Sequence, residues 1–250
     1  MLNGTLVGLS RQVAIERELD VVANNIANIN TIGYKADGAL FEEYLSSAAR
    51  SSGANRVSFV RDRGLWHDMN QGGIERTGNP LDVAIDGKGF LSVQTPNGVR
   101  YTRNGSFQLN AAGQLVTSDG FQVLGDGGPI ALQPTDSQVS ISRDGTISVR
   151  EGNSNVDSQR GKLKLVAIDN PADLQKDGNS TFNFTGAGTP PAATTGGIVQ
   201  GAVEKSNVRG VVEMSRMIEI TRAYTQIATL LQQQNDQGTQ AIDKLADVPN

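Results

Sequence analysis

The chain has 250 residues and a net charge of −4 at pH 7. Only 37% of its residues are hydrophobic and 5% aromatic, while glycine is abundant at 29 residues. The missing large side chains favour turns, strands and contacts with other chains over one deep core. With no Cys, disulfides, thiolate zinc and iron–sulfur clusters are excluded, and the single His67 excludes a multi-His metal site within one chain. The acidic balance argues against a dedicated nucleic-acid binder. No apolar run approaches the ~18 residues that span a bilayer. The start, Met1-Leu2-Asn3-Gly4-Thr5-Leu6, lacks the basic and apolar segments of a secretory signal, so a soluble chain outside that route is expected.

From Leu2 to about Asn30 the pattern is helical. Leu2, Leu6, Leu9 and Val13 form one stripe, and Ile15, Leu19, Val22, Ile26 and Ile29 a second, displaced one. Two seams are thus offered to neighbours. The helix is expected to stop near Asn30-Thr31, with Gly33 as its C-terminal cap. A shorter amphipathic helical piece is expected over Leu40 to Ala49. Residues 51–73 read as an irregular connector, bounded by Ser51-Ser52-Gly53 and Gln71-Gly72-Gly73. Arg50, Arg56, Arg61 and Arg63 gather in and just before it, either to meet an acidic neighbour or simply to be solvated.

From about Ile74 to Gly201 the period changes to two. Runs at 81–85, 90–93, 139–141 and 162–166 read as strands. Between them recur Asp86-Gly87, Asn97-Gly98, Asn104-Gly105, Asp119-Gly120, Asp126-Gly127, Asp144-Gly145 and Asp177-Gly178. Such pairs accept the positive φ of tight hairpins, so a β-meander follows. Gly186 to Gly197, with Pro190-Pro191, reads as an exposed loop. From about Val203 the helical period returns. Met217, Ile220, Tyr224, Ile227 and Leu231 are spaced 3, 4, 3, 4 in a helix of roughly forty residues, long against a typical ~11–12. The expected class is α+β, with long terminal helices pairing in an axial coiled-coil layer around a β-rich middle. The expected division is 1–50 (helical), 51–73 (linker), 74–201 (β-rich) and 202–250 (helical).

Four ordered motifs resemble bacterial flagellar basal-body rod and hook proteins. They are Ala23-Asn24-Asn25-Ile26-Ala27-Asn28-Ile29-Asn30-Thr31-Ile32-Gly33-Tyr34-Lys35; Thr77 to Phe90; Tyr101-Thr102-Arg103-Asn104-Gly105-Ser106-Phe107 with Gly113 to Thr117; and Glu204-Lys205-Ser206-Asn207-Val208 followed by Glu213-Met214, Met217-Ile218 and Arg222-Ala223-Tyr224. The chain departs at Ile32, where many members carry Pro. Its length and the segment Val123 to Ile130 resemble proximal-rod members, with distal-rod members as the alternative. The resemblance implies a structural subunit of the rod, the shaft that carries motor torque across the periplasm to the hook. It also implies export through the flagellar type III apparatus and assembly with copies of itself and other rod proteins. No cofactor, nucleic acid or membrane insertion is implied.

The expected assembly interface comprises Leu19, Val22, Asn24, Asn25, Ile26, Ala27, Asn28, Ile29 and Asn30 at one end, and Met217, Ile220, Tyr224, Ile227 and Leu231 at the other. Neutral amides fix register in a homopolymer without the repulsion that a repeated charge accumulates. The alternative is that these Asn only cap and fray a helix end. His67 reads as a lone exposed histidine in the linker, and the Asp-Gly pairs match no calcium-loop spacing. An enzyme or a secreted β-rich binding module are the competing classes. The first lacks a second His to build a nucleophile–base pair, although a carboxylate pair in the middle stays open; the second leaves the helical ends without a purpose.

Overall fold

The computed structural model describes residues 2–45, 58–152 and 156–246. It is α+β, with a helix at each end and a β-rich centre. Helix α1 spans Leu2–Ala27 and is followed by a hairpin of β1 (Asp37–Leu45) and β2 (Ser58–His67). Sixteen residues expected to be irregular or helical are thus extended: β1 replaces the helical piece over its described part, and β2 runs through the connector. The reason lies in composition. Phe41, Phe59, Val60 and Trp66 are aromatic or β-branched, types that suit a pleated surface. Residues 46–49 of the expected helical piece, with Arg50 and Arg56, lie outside the described residues.

The strand-rich centre carries β3 (Ile74–Arg76), β4 (Val83–Asp86), β5 (Phe90–Thr95), β6 (Gly98–Thr102), β7 (Phe107–Leu109), β8 (Leu115–Thr117), β9 (Gln122–Gly125) and β10 (Gly128–Pro129). It continues through β11 (Asp136–Ile141), β12 (Thr146–Glu151), β13 (Asp157–Lys162), β14 (Leu165–Val166), β15 (Leu174–Lys176), β16 (Thr181–Phe184), β17 (Gly197–Gln200) and β18 (Ala202–Glu204). Helix α2 follows at Gly210–Ala246, several residues later than the return of helical period suggested, because Val203 belongs to β18. The expected strand at 162–166 is two strands, β13 ending at Lys162 and β14 starting at Leu165.

The chain divides into two compact units. The first contains 1–27, 37–66 and 209–250; the second contains 28–36 and 67–208. In the first, α1 packs on α2 and on β1. In the second, the main sheet runs β15-β16-β6-β5-β9-β8-β7, with β10 on β9 and β14 on β5. Strands β11, β12 and β13 form a separate sheet, and antiparallel pairs β17 with β4 and β18 with β3 close the unit. Its core joins Val83, Ile85, Leu91, Val93, Leu115, Val123, Ile147 and Leu163 with their neighbours. A smaller cluster holds Phe90, Tyr101, Val166, Leu174 and Phe182.

The Asp-Gly and Asn-Gly pairs act largely as expected. Gly98, Gly120, Gly145 and Gly178 take positive φ in hairpins β5–β6, β8–β9, β11–β12 and β15–β16. Gly105 has a different role: a Cβ there would stand 1.8 Å from Val83 O, so only glycine permits that approach.

Candidate assembly interface

Within the first unit, the two terminal helices run antiparallel. Gly8 of α1 lies against Leu231, where an added Cβ would come within 2.6 Å of Leu231 Cδ2. Further along α1, Gln12 Nε2 donates to Tyr224 Oη at 3.1 Å, and Tyr224 Oη donates to Glu16 Oε1 at 3.2 Å. Beyond these, Arg216 reaches Glu18 at 2.7 Å. Partner numbers fall along α2 as they rise along α1, and apolar residues along both helices are covered. Val22 is fully buried, and Val21, Ile220 and Ile227 are buried. Leu19, Ile26, Met217, Tyr224 and Leu231 are half-buried. The displaced stripe Leu19–Val22–Ile26 therefore faces inward.

The other stripe does not. Leu6, Leu9 and Val13 are 45%, 52% and 56% exposed on α1. On α2, Val211, Met214, Ile218 and Leu230 are likewise exposed. Met214, Met217, Ile218, Thr221, Arg222, Thr225 and Gln226 line an open, mostly apolar groove of about 680 Å³. Helices of this kind draw their stability from covering such faces.

The N-terminal amides separate into distinct roles. Asn25 is buried and pairs with one residue twice, donating from Nδ2 to Asp37 O and accepting at Oδ1 from Asp37 N, both at 2.9 Å. It thereby fastens α1 to the start of β1. Asn24 and Ala27 are exposed on the same helix. Asn28, Ile29 and Asn30 lie in the second unit, where α1 has already ended; Asn28 Oδ1 accepts the Thr31 hydroxyl at 3.1 Å. Gly33 is not a helix cap. It sits six residues past Ala27 with φ +68°, and an added Cβ would stand 2.4 Å from Arg103 C and Asn104 N.

Four residues quoted only as parts of motifs carry chemistry that sequence reasoning missed. Lys35, Arg103 and Glu204, each at most 4% exposed, meet inside the second unit. Lys35 Nζ lies 2.6 Å from Glu204 Oε1 and Arg103 Nη1 lies 3.0 Å from Oε2. Burial pushes both the Lys35 ammonium and the Arg103 guanidinium below their usual ranges, with Glu204 pulling the other way. Asn207 joins them, its Oδ1 accepting Ala36 N at 2.7 Å and its Nδ2 donating to Asp68 O and Asn70 O. The only hint in sequence was the coincidence of these residues with the motifs. His67, expected to be exposed, is half-buried with its ring edge-on to Phe182 at 6.0 Å. Arg61 and Arg63 are exposed on β2. Among the described residues, no cluster of His, Asp or Glu is arranged to hold a metal ion.

Comparison with known proteins meets this geometry at three places. Residues 6–35 match the family described as flagella basal body rod protein. Residues 84–149 match the D1 domain of the flagellar hook protein FlgE/F/G, and residues 199–243 the C-terminal region of flagellar basal body rod FlgEFG proteins. The flagellar basal-body rod protein FlgF of Caulobacter vibrioides is 38% identical over 99% of this chain and 100% of its own length. FlgF of Mesorhizobium japonicum is 36% identical over 98% of each chain. FlgG of Agrobacterium fabrum is also 36% identical, but over 84% of this chain and 87% of its own. The chain is therefore a FlgF-like member of the flagellar basal-body rod protein family.

Proposed function

We propose that this chain is a structural, non-enzymatic subunit of the proximal rod, polymerising through its terminal helices to pass motor torque toward the hook. The observation that carries this reading is the second apolar stripe. After α1 and α2 have covered one face of each other, Leu6, Leu9 and Val13 on one helix and Met214, Ile218 and Leu230 on the other still face outward. A contiguous apolar face left on a paired helix marks a contact with another molecule. In an assembled rod the pair becomes part of an axial coiled-coil layer, with 1–50 and 202–250 as assembly regions, 51–73 as the linker from the first of them to the β domain, and 74–201 as that outer β domain. The residues from Leu19 to Asn30 and from Met217 to Leu231 then sit in or beside the seams. The partners are further copies and other rod proteins in the basal body where it crosses the periplasm, reached through the flagellar export apparatus. The near full-length match to FlgF proteins favours the proximal over the distal rod.

Ile218→Asp tests this. Ile218 is 55% exposed, so the purified variant is expected to keep its helix content and melting temperature. Fractionated basal bodies from cells carrying it are expected to lack the protein, and swimming to cease. Normal incorporation and motility would refute assembly through this face.

A further inference from the structure

The chain passes between its two units four times, at 27/28, 36/37, 66/67 and 208/209. The second unit therefore has four chain ends. Those ends are 28–36, the stretch from His67, and the stretch up to Val208. All three meet in one cluster of hydrogen bonds and ion pairs inside that unit. Gly33 N donates to Glu204 O at 2.7 Å, Asp68 N to Ala36 O at 2.8 Å, and Lys205 N to Gly73 O at 2.8 Å. Asn207 ties Ala36 to Asp68 and Asn70.

At the centre stands the Glu204 carboxylate. Its Oε1 accepts from Lys35 Nζ at 2.6 Å and from Gly72 N at 2.9 Å, and its Oε2 accepts from Arg103 Nη1 at 3.0 Å. Two cations and one anion leave an excess positive charge in a place without water access. It is offset by carbonyls: Asn70 O takes Lys35 Nζ at 2.8 Å and Gly87 O takes Arg103 Nη2 at 2.9 Å. The Phe90 ring lies 5.2 Å from the guanidinium carbon. A buried ion group is weak evidence of stability, since well-packed apolar residues often do as well. What it does supply is direction, because removing one member strands the others. Each charge comes from a different stretch of chain: Lys35 from the N-terminal segment, Arg103 from just past β6, and Glu204 from the last strand.

We propose that this cluster is the mechanical joint of the subunit, the point at which pull arriving along the chain from either terminal region is delivered together to the β unit. Without it, tension entering at Val208 would meet only the short β18–β3 and β17–β4 ladders, which peel one hydrogen bond at a time. With it, the same tension is shared at once by 33–36, 68–73 and Arg103. The proposal rests on the reading that this protein works under torque.

The chain contains no Cys, so handles can be placed cleanly for single-molecule pulling. Asp119→Cys in the β8–β9 turn and Ser215→Cys on α2, both exposed, put the joint between the two attachment points. Pulled this way, the full chain is expected to release residues 197–208, an added ~40 Å at ~3.3–3.6 Å per residue, only when the β unit as a whole fails. With Glu204→Gln added, that release is expected as a separate step at clearly lower force. Asn207→Ala leaves the Lys35–Glu204–Arg103 group untouched and is expected to act in the same direction, which keeps the test open if Glu204→Gln fails to fold. Equal rupture forces in wild type and variants would overturn the joint. Swimming in media of rising viscosity separates the two readings. Early stalling of Asn207→Ala cells supports both, whereas unaltered stalling alongside a weakened rupture overturns the torque reading and leaves the joint standing.

Discussion

Replacing Gly33 with Ala distinguishes a residue that ends a helix from one that seats a segment on the β unit. Gly33 has φ +68°, and placing a Cβ on such a backbone costs about 1–2 kcal/mol. The new atom would also lie 2.4 Å from Arg103 C and Asn104 N and 2.7 Å from Arg103 O, against a comfortable ~3.5 Å or more. All three are backbone atoms, so no side chain can swing away. The segment must lift by about an ångström, and the 2.7 Å bond from Gly33 N to Glu204 O then fails, leaving buried groups unpaired at about 1–3 kcal/mol. The total is about 2–5 kcal/mol, or roughly 4–20 °C in the β-unit melting temperature for a chain of this size. Gly78 supplies the control: its φ is +76°, yet nothing lies within 4 Å of its built Cβ, so Gly78→Ala carries the conformational cost alone. Calorimetry of both variants is the assay. Equal shifts would mean that the contact with 103–104 has no energetic weight, and the seating argument would fail.

Three further outcomes are expected. Asn25→Ala removes both hydrogen bonds to the half-buried backbone of Asp37 and should destabilise the helical unit by about 1–3 kcal/mol, while Asn25→Asp, which keeps the acceptor, should lose about half as much; hydrogen exchange at Asp37 reads both. Phe182→Ala removes a ring that is 1% exposed and stacked edge-on to Phe90 at 5.8 Å, and should cost the β unit about 3–5 kcal/mol in denaturant unfolding. Asp136, held by the Arg160 fork at 2.8 and 2.6 Å and by Gln133 N, has its carboxyl below the usual 3.8. Its stabilisation of the β11–β12–β13 sheet is therefore complete above that pH and is lost as pH falls below it. Protection from exchange in this sheet, taken relative to the intrinsic amide rate at each pH, should fall on acidification, and Asp136→Asn should flatten the dependence.

The sequence was most legible where local chemistry decides structure. Gly98, Gly120, Gly145 and Gly178 stand in hairpins because Asn-Gly and Asp-Gly suit positive φ whatever surrounds them. The α2 seam through Ile220 and Ile227 was legible for the same reason, since its period is local. The β1–β2 hairpin was not. Leu40, Phe41 and Tyr44 fit a helical spacing, and only pairing with a strand some twenty residues away fixes them as extended. Nor was the burial of Lys35 and Glu204. Charged residues are read as solvated because nearly all are, and a sequence separation of 169 hides that these two share a bond. Gly33 shows a subtler failure: its positive φ was anticipated, but the demand comes from the backbone at Arg103 and not from a helix end.

The way the β unit closes also governs how it comes to exist. Its first strands, β3 and β4, pair with its last, β18 and β17, so Ile85 waits for Ile198 and Glu75 for Val203. Pairings separated by more than a hundred residues exact their loop-closure entropy before they return any stability, which makes folding slow and late. A nascent chain that has not yet delivered residue 204 holds Val83, Ala84 and Ile85 on an open strand edge, next to two cations without their counter-ion. Such a chain has every reason to stay unfolded and a ready-made site for adhering to its like. The interval before closure is thus when it most needs an escort, and the last fifty residues bring that need to an end.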